Sequence, residues 1–270
     1  MSGMGDLRNR SGGAIFFSYH SVAASGPRYL TVSPELFERQ LDHYARRGLG
    51  TGGLEDLRAL AGGRRTEANL FLTFDDGFVD NYEVAMPLLR ERGFRAFVFV
   101  LPPAVDDGGS LDWPEVAGQA PDPSTMRSVT WPMLEEMKEA GFEVGSHTLS
   151  HPFLSRLGDE ALRQELSDSR SRIVERLGSC SVLAYPFGDW DPRVAAAARD
   201  CGYEFAFTQP TRCGQQHATP LSIPRVNIDY RDSGHRLDLK LSALGRRLLL
   251  SRRITGLRRG AGRLLSAGES

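Results

Sequence analysis

Short apolar, β-rich runs recur along the chain at Ala14–Ser18, Leu70–Phe74, Ala96–Leu101, Phe142–Ser146, Ser181–Tyr185, Glu204–Thr208 and Ile223–Ile228. Several lack the polar alternation of a half-solvated strand, as strands covered on both faces do. Between them the spacing turns helical. Ser33 is a good N-cap, with Pro34 in the first helical position and Gly48 as a stop. Thr130 opens a second helix that ends at Gly141, and Leu162, Leu166, Ile173 and Leu177 line one face of a third over Glu160–Leu177. Asp191 caps a fourth, with Pro192 at its start and Gly202 at its end. This alternation predicts an α/β domain with a parallel sheet and crossover helices, and seven strands could close into a barrel. Leu101–Val129 is rich in Pro, Gly and Asp and reads as a long loop, a feature often tied to function.

Composition adds limits. The chain has 270 residues, 40% hydrophobic and 25% charged, which excludes a disulfide-stapled mini-protein, a collagen-like chain and a wholly disordered one. The net charge of −1 argues against a general nucleic-acid binder. That charge is unevenly spread: residues 231–270 carry +7 and residues 1–230 carry −8. Cys180, Cys201 and Cys213 form an odd set with no CxxC pair, which suits a reducing compartment. No secretory leader and no apolar window of about 18 residues is evident, so a cytoplasmic protein is expected. The expected organisation is a flexible N-terminus (1–13), one domain (14–230) and a basic, partly amphipathic C-terminal tail (231–270). Leucines recur at rough helical spacing in that tail. It reads either as a solvated terminal helix or as a peripheral contact with anionic lipid.

Three segments carry chemistry. In Leu72-Thr73-Phe74-Asp75-Asp76-Gly77, an apolar strand ends in two adjacent carboxylates that repel unless a cation or donors lie near. Alone, Asp-Asp-Gly is more often a solvated turn. In Ser146-His147-Thr148-Leu149-Ser150-His151, two imidazoles four residues apart would share one face of a helical turn and could reach one ion. Two histidines and one carboxylate leave coordination positions open, as catalytic metal sites do. Both segments follow apolar strands, so a parallel sheet would bring them to one mouth. The third segment, Ala184-Tyr185-Pro186-Phe187-Gly188-Asp189-Trp190, is a strand exit carrying aromatics. It reads either as a packed turn or as an oxyanion donor with an aromatic wall for a sugar.

Together, in this order and spacing, the three segments resemble the polysaccharide deacetylase family, also called the NodB-homology domain or carbohydrate esterase family four. The resemblance covers roughly Ala14 to Tyr230. It implies a distorted (β/α)7 TIM-like barrel that removes acetyl groups from sugars with a divalent metal, usually zinc. Carried over residue by residue, Asp75 would be the general base, and Asp76, His147 and His151 the metal ligands. The backbone N–H of Phe187 would help to hold the oxyanion. On the residue reading of the third segment, Tyr185 and Trp190 are the candidates for the aromatic wall beside the substrate.

The chain departs from the family pattern in three places. Ala184 stands where an arginine usually buttresses the catalytic aspartate, and neither the late Leu-x-His motif nor the Asp-x-x-Asp-Trp motif is evident. Phe17-Ser18-Tyr19-His20-Ser21-Val22 and Ile223-Pro224-Arg225-Val226 resemble instead the biofilm poly-N-acetylglucosamine deacetylase branch. That likeness implies His20 as the general acid and Arg225 as the replacement for the arginine. Outside a family context, His20 reads as a hydrogen-bonded histidine at a strand end, and Arg225 as a surface arginine. The implied reaction is N-deacetylation of an amino-sugar glycan or glycoconjugate, such as a lipid- or nucleotide-linked sugar in surface-polysaccharide biosynthesis. An O-acetyl esterase, a deformylase and a catalytically weakened carbohydrate-binding barrel are the alternatives.

Overall fold

The computed structural model describes residues 13–111, 126–209 and 219–250. Its strands are β1 (Ile15–Tyr19), β2 (Ser21–Val22), β3 (Thr31–Val32), β4 (Leu70–Phe74), β5 (Phe97–Val100), β6 (Glu143–Ser146), β7 (Val182–Ala184), β8 (Phe205–Thr208), β9 (Ile223–Pro224) and β10 (Val226–Asn227). Eight of them form one parallel sheet in the order β10-β1-β4-β5-β6-β7-β8-β9, and β2 pairs with β3 beside it. Only Arg225 separates β9 from β10, so the last apolar run serves both edges of the sheet and the barrel nearly closes on itself. The single strand expected over Ile223–Ile228 is therefore split in two.

The pleat explains why these strands read as continuous apolar runs. Along β5, Phe97 and Phe99 join one buried cluster while Val98 and Val100 join another. The same division separates Val182 and Ala184 from Leu183 in β7, and Phe205 and Phe207 from Ala206 in β8. One face packs the barrel interior and the other packs the surrounding helices, so both must be apolar. Gly145 in β6 allows this filling: a Cβ there would lie 2.6 Å from Phe99 and Val182.

The helices are α1 (Pro34–Arg46), α2 (Leu54–Ala61), α3 (Met86–Glu91), α4 (Pro102–Asp107), α5 (Trp131–Glu139), α6 (Asp159–Leu177), α7 (Pro192–Asp200), α8 (Gly234–Leu241) and α9 (Ala243–Leu249). The predicted caps are in place. Ser33 Oγ accepts from Leu36 N, and Asp191 accepts from Val194 N at 2.8 Å. A π-helical turn over Asn81–Ala85 leads into α3. The segment read as a loop from Leu101 begins with α4, and residues 112–125 lie outside the described part.

The C-terminal reading needs correction. Residues 231–250 are not an appendage: Leu237 and Leu241 of α8 are buried in the main core, and Leu249 and Leu250 pack against it. Asp232 is buried and ion-paired with Lys240, and its carbonyl accepts from Gln40 at 2.7 Å. His43 of α1 is half-buried and hydrogen-bonded to Asp238 at 2.8 Å. The fold thus continues past the expected boundary at 230. Residues 1–12 and 251–270 lie outside the described part, as does Cys213. Cys180 and Cys201 carry free thiols, and burial pushes Cys180 up to about 12.

Candidate active site

The C-terminal ends of the strands carry every motif. His20 follows β1, Asp75 and Asp76 follow β4, His147 follows β6, Phe187 follows β7, and Arg225 stands between β9 and β10. In parallel barrels this end builds the site. Among the described residues, four non-glycine residues have positive φ: Asp76 (72°), Thr148 (72°), His151 (58°) and Phe187 (57°). All four lie in the three motifs. Left-handed backbone costs energy for such residues and persists only where the surrounding structure fixes it.

Strained backbone is what lets His147 and His151 converge. They do not lie on a helical turn, as their spacing suggested, but on a loop bent by two left-handed residues. Glu165 of α6 holds that loop, accepting from Leu149 N, Ser150 N and Ser150 Oγ at 2.9, 3.0 and 2.5 Å. Thr148 N donates to Ser146 Oγ at 3.0 Å. On the other side, left-handed Asp76 turns its carboxylate away from that of its neighbour Asp75, and the two acids find different partners.

Asp76, His147 and His151 fit a metal. One donor atom from each lies within 4.8 Å of the others. Asp76 Oδ1 is buried with no hydrogen-bond partner among the described residues. Instead it faces His147 Nε2 at 3.3 Å and His151 Nε2 at 3.6 Å. Donors about 2.1 Å from a tetrahedral ion are about 3.4 Å apart, so these separations need little adjustment. His147 Nδ1 hydrogen-bonds Ala184 O at 2.8 Å, which directs its Nε2 lone pair at the site. Burial opposes ionisation of Asp76, yet the adjoining His147 imidazole and the charges of His20 and His151 hold its carboxyl well below the usual range. Burial, with the charge of His147, lowers His151 to about 4, which keeps that ring neutral and able to bind a cation. For His147, burial is outweighed by Asp76 and Asp75, and its pKa is raised.

Asp75 is gripped by Arg225. The guanidinium donates from Nη1 to Oδ1 at 2.6 Å and from Nη2 to Oδ2 at 2.8 Å, and Nη1 also donates to Thr73 Oγ1 at 2.7 Å. Arg225 is 0% exposed, with its Cζ 5.7 Å from the ring centre of Phe99 and 5.6 Å from that of Phe207. A planar fork between two ring faces has little freedom, so Asp75 is held in orientation as well as charge. Burial opposes ionisation of Asp75, but Arg225, His147 and His20 together lower its pKa. Ala184, paired in register with Phe207, leaves only a methyl group on the interior face where the family pattern has an arginine. The guanidinium reaches Asp75 from the split strand instead.

The third motif divides. Phe187 takes its left-handed conformation in a short 3₁₀ turn over Pro186–Gly188. Its ring meets His151 edge-on at 4.5 Å and stacks on Phe153 at 4.2 Å. It walls His151 on one side. Gly188 is required here: a Cβ would lie 2.4 Å from Gln209 N. The expectation that Tyr185 borders a sugar is corrected. Tyr185 is 1% exposed and its hydroxyl donates to Leu221 O at 3.0 Å, so it is a core residue. Trp190 is half-buried and stacks parallel to it at 6.2 Å. Buried Asp189, directly before Trp190, accepts from Ser155 N at 2.9 Å and ties the segment after the histidine loop to this turn.

His20 lies close enough that its charge lowers both Asp75 and Asp76. Its Nδ1 is buried without a hydrogen-bond partner among the described residues. Asp80 and Asn81, which hold the adjoining backbone, carried no signal in the sequence beyond following the Asp-Asp-Gly motif, nor did Glu165.

A family model described as polysaccharide deacetylase matches residues 62–206, more than half of the chain. YxkH of Bacillus subtilis (strain 168), a protein named for the same activity, is 23% identical over 219 residues, covering 80% of this chain and 71% of its own. Among solved structures, the Streptococcus pyogenes deacetylase PplD, in complex with acetate, superposes with a TM-score of 0.72 at 24% identity, covering 84% of this chain and 98% of its own. A de-N-acetylase from Aggregatibacter actinomycetemcomitans gives a TM-score of 0.69 at 18% identity over 84% of this chain and 99% of its own.

Proposed function

Because the chain belongs to the polysaccharide deacetylase family, we propose that it is a metal-dependent hydrolase removing N-acetyl groups from an amino-sugar glycan or glycoconjugate. The observation that carries this is the division of labour between two neighbouring carboxylates. Asp76 converges with His147 and His151, while Asp75 is held apart by Arg225. Asp76, His147 and His151 would hold a divalent cation, and the N/O donor set suits zinc. When bound, such an ion supplies Lewis acidity at the acetyl carbonyl.

The chain's own groups do the rest. Asp75, kept ionised and aimed by Arg225, accepts a proton from the attacking water. The Phe187 N–H donates to the developing oxyanion, an interaction worth about 3 kcal/mol in comparable sites. His20 donates a proton to the departing sugar nitrogen as the C–N bond breaks, leaving acetate and an amino sugar. Nitrogen is the poorer leaving group, so a positioned acid at His20 favours an amide over an ester substrate. Convergent donors and a gripped base speak against a barrel that only binds carbohydrate.

For the carrier, the reading is a lipid- or nucleotide-linked sugar handled at the cytoplasmic face of the membrane during surface-polysaccharide biosynthesis. Its support is the +7 charge of residues 231–270 and the exposed Leu239 and Leu244 on α8 and α9. Among the described residues no helix is long and apolar enough to cross a membrane. Co-sedimentation with anionic vesicles of the full chain and a 1–250 form tests it, because residues up to 250 belong to the fold. Equal weak binding by both removes the membrane contact. The chemistry is tested by acetate release from N-acetylglucosamine oligomers and O-acetylated sugars by zinc-loaded protein. Release from the amides supports the reading, whereas release from the esters alone overturns it.

A further inference from the structure

His20 lacks the Nδ1 anchor that His147 has. His147 is oriented by a hydrogen bond on its own ring, from Nδ1 to Ala184 O. His20 Nδ1 is buried and makes no such bond among the described residues. No hydrogen bond at Nδ1 orients the His20 imidazole, so the hold on its main chain carries more of its placement. That main chain is held from the next turn of the Asp-Asp-Gly segment. Asn81 Nδ2 donates to His20 O at 2.7 Å, and also to Asp80 Oδ1 at 2.9 Å. Asp80 in turn accepts from Val22 N at 2.9 Å through Oδ1 and from Ser21 Oγ at 2.6 Å through Oδ2. Three consecutive residues, His20, Ser21 and Val22, are thus gripped by one carboxylate–amide pair. Both members are buried, Asp80 at 5% and Asn81 at 1% exposed.

A local irregularity of the helix accompanies this grip. The π-helical turn begins at Asn81, directly after Asp80. Such turns insert an extra residue into helical backbone and are frequent at functional sites. The same short segment that supplies Asp75 and Asp76 from β4 therefore also reaches back to the end of β1.

We propose that Asp80 and Asn81 are positioning residues for His20: they fix the His20–Val22 segment so that an imidazole whose Nδ1 has no hydrogen-bond partner among the described residues is held at the mouth of the site. The proposal rests on the reading of His20 as the group that protonates the leaving nitrogen. Misplacing a catalytic group by about 1 Å costs on the order of 10²-fold in rate. Asn81→Ala should therefore lose roughly 100-fold in kcat/KM on penta-N-acetylchitopentaose. It should lose less than about threefold on 4-nitrophenyl acetate, whose leaving group needs no acid.

Two measurements keep this proposal separate from the reading it rests on. In the metal-free protein, ¹⁵N-labelled histidine side chains are observed by NMR. Wild type should give one sharp set of His20 ring signals. Asn81→Ala should give broadened or multiple His20 signals with those of His147 and His151 unmoved. His20→Ala is assayed on both substrates in parallel. If His20→Ala loses amide and ester activity equally, the acid reading fails and the NMR result alone judges the positioning. An Asn81→Ala protein with unchanged His20 signals, or with equal losses on the two substrates while His20→Ala is selective, overturns the proposal. Should Asn81→Ala not fold, Ser21→Ala, which removes one hydrogen bond to Asp80, should show the same His20 effect in milder form. Asn81→Gln, which keeps the amide donor, should recover part of the loss.

Discussion

Replacing Arg225 by methionine keeps the length of the side chain but removes every donor to Asp75. The carboxylate stays buried without its partner, and such a break typically costs about 3–5 kcal/mol. Arg225→Lys should recover little, because an ammonium is a point charge and cannot reproduce two parallel bonds. Chemical denaturation of the three proteins checks this, and wild-type stability in Arg225→Met would contradict it. Asp80 gives a second residue-scale prediction. Burial raises its pKa from 3.8 to about 6, so the folded protein holds that proton more tightly than the unfolded chain. Stability of the wild type relative to Asp80→Asn should then fall as pH rises from about 4 to about 6 and stay level above, a change of about 3 kcal/mol at most. A difference in midpoint that is flat with pH would exclude it. The two aspartates and two histidines of the centre were legible as residue types at telling distances. Arg225 was legible only through resemblance, since a strand arginine in isolation looks like a surface one. Asp80 and Asn81 were invisible, because their partners lie some sixty positions earlier in the chain.

The strands were legible because burial on both faces removes polar alternation, and the helices were legible wherever a cap and a Pro or Gly punctuated them. What failed was geometry set from a distance. His147 and His151 looked like one helical face, but the loop between them takes its shape from Glu165, on a helix later in the chain. Local spacing carries no trace of such a clamp. Glu165→Ala is therefore expected to loosen the loop and weaken zinc binding about 10- to 100-fold, as losses of supporting groups do at metal sites. Competition against a chromophoric chelator measures this directly. Unchanged affinity would show that the left-handed residues hold the histidines without the clamp. Tyr185 failed for a similar reason: its place in a mouth turn did not reveal that its hydroxyl is engaged by Leu221 in the core.

For the whole molecule, the barrel nearly closes through one divided strand, and the chain after it returns to cover α1. Charge count alone set residues 231–270 apart as a tail, because arginines among leucines look solvated in sequence. Leu237 and Leu241 are nevertheless core residues, and each such leucine is typically worth about 2–5 kcal/mol. Ending the chain at 230 should abolish cooperative unfolding or lower the melting temperature steeply, as followed by circular dichroism. A 1–230 protein that melts within a few degrees of the full chain would contradict the docking of α8. The opening in the chemistry is likewise a property of the whole barrel, since β1, β4, β6 and β7 and the split strand each deliver one part of it. In the proposed division of labour, Asp75 acts on water while Asp76, His147 and His151 hold the metal. The most direct test is acetate release from N-acetylglucosamine oligomers by wild type and Asp75→Asn, with zinc content measured on the same samples. Asp75→Asn should retain one zinc per chain and lose at least about 10²-fold in rate; a zinc-loaded Asp75→Asn protein that releases acetate at the wild-type rate would contradict this division of roles.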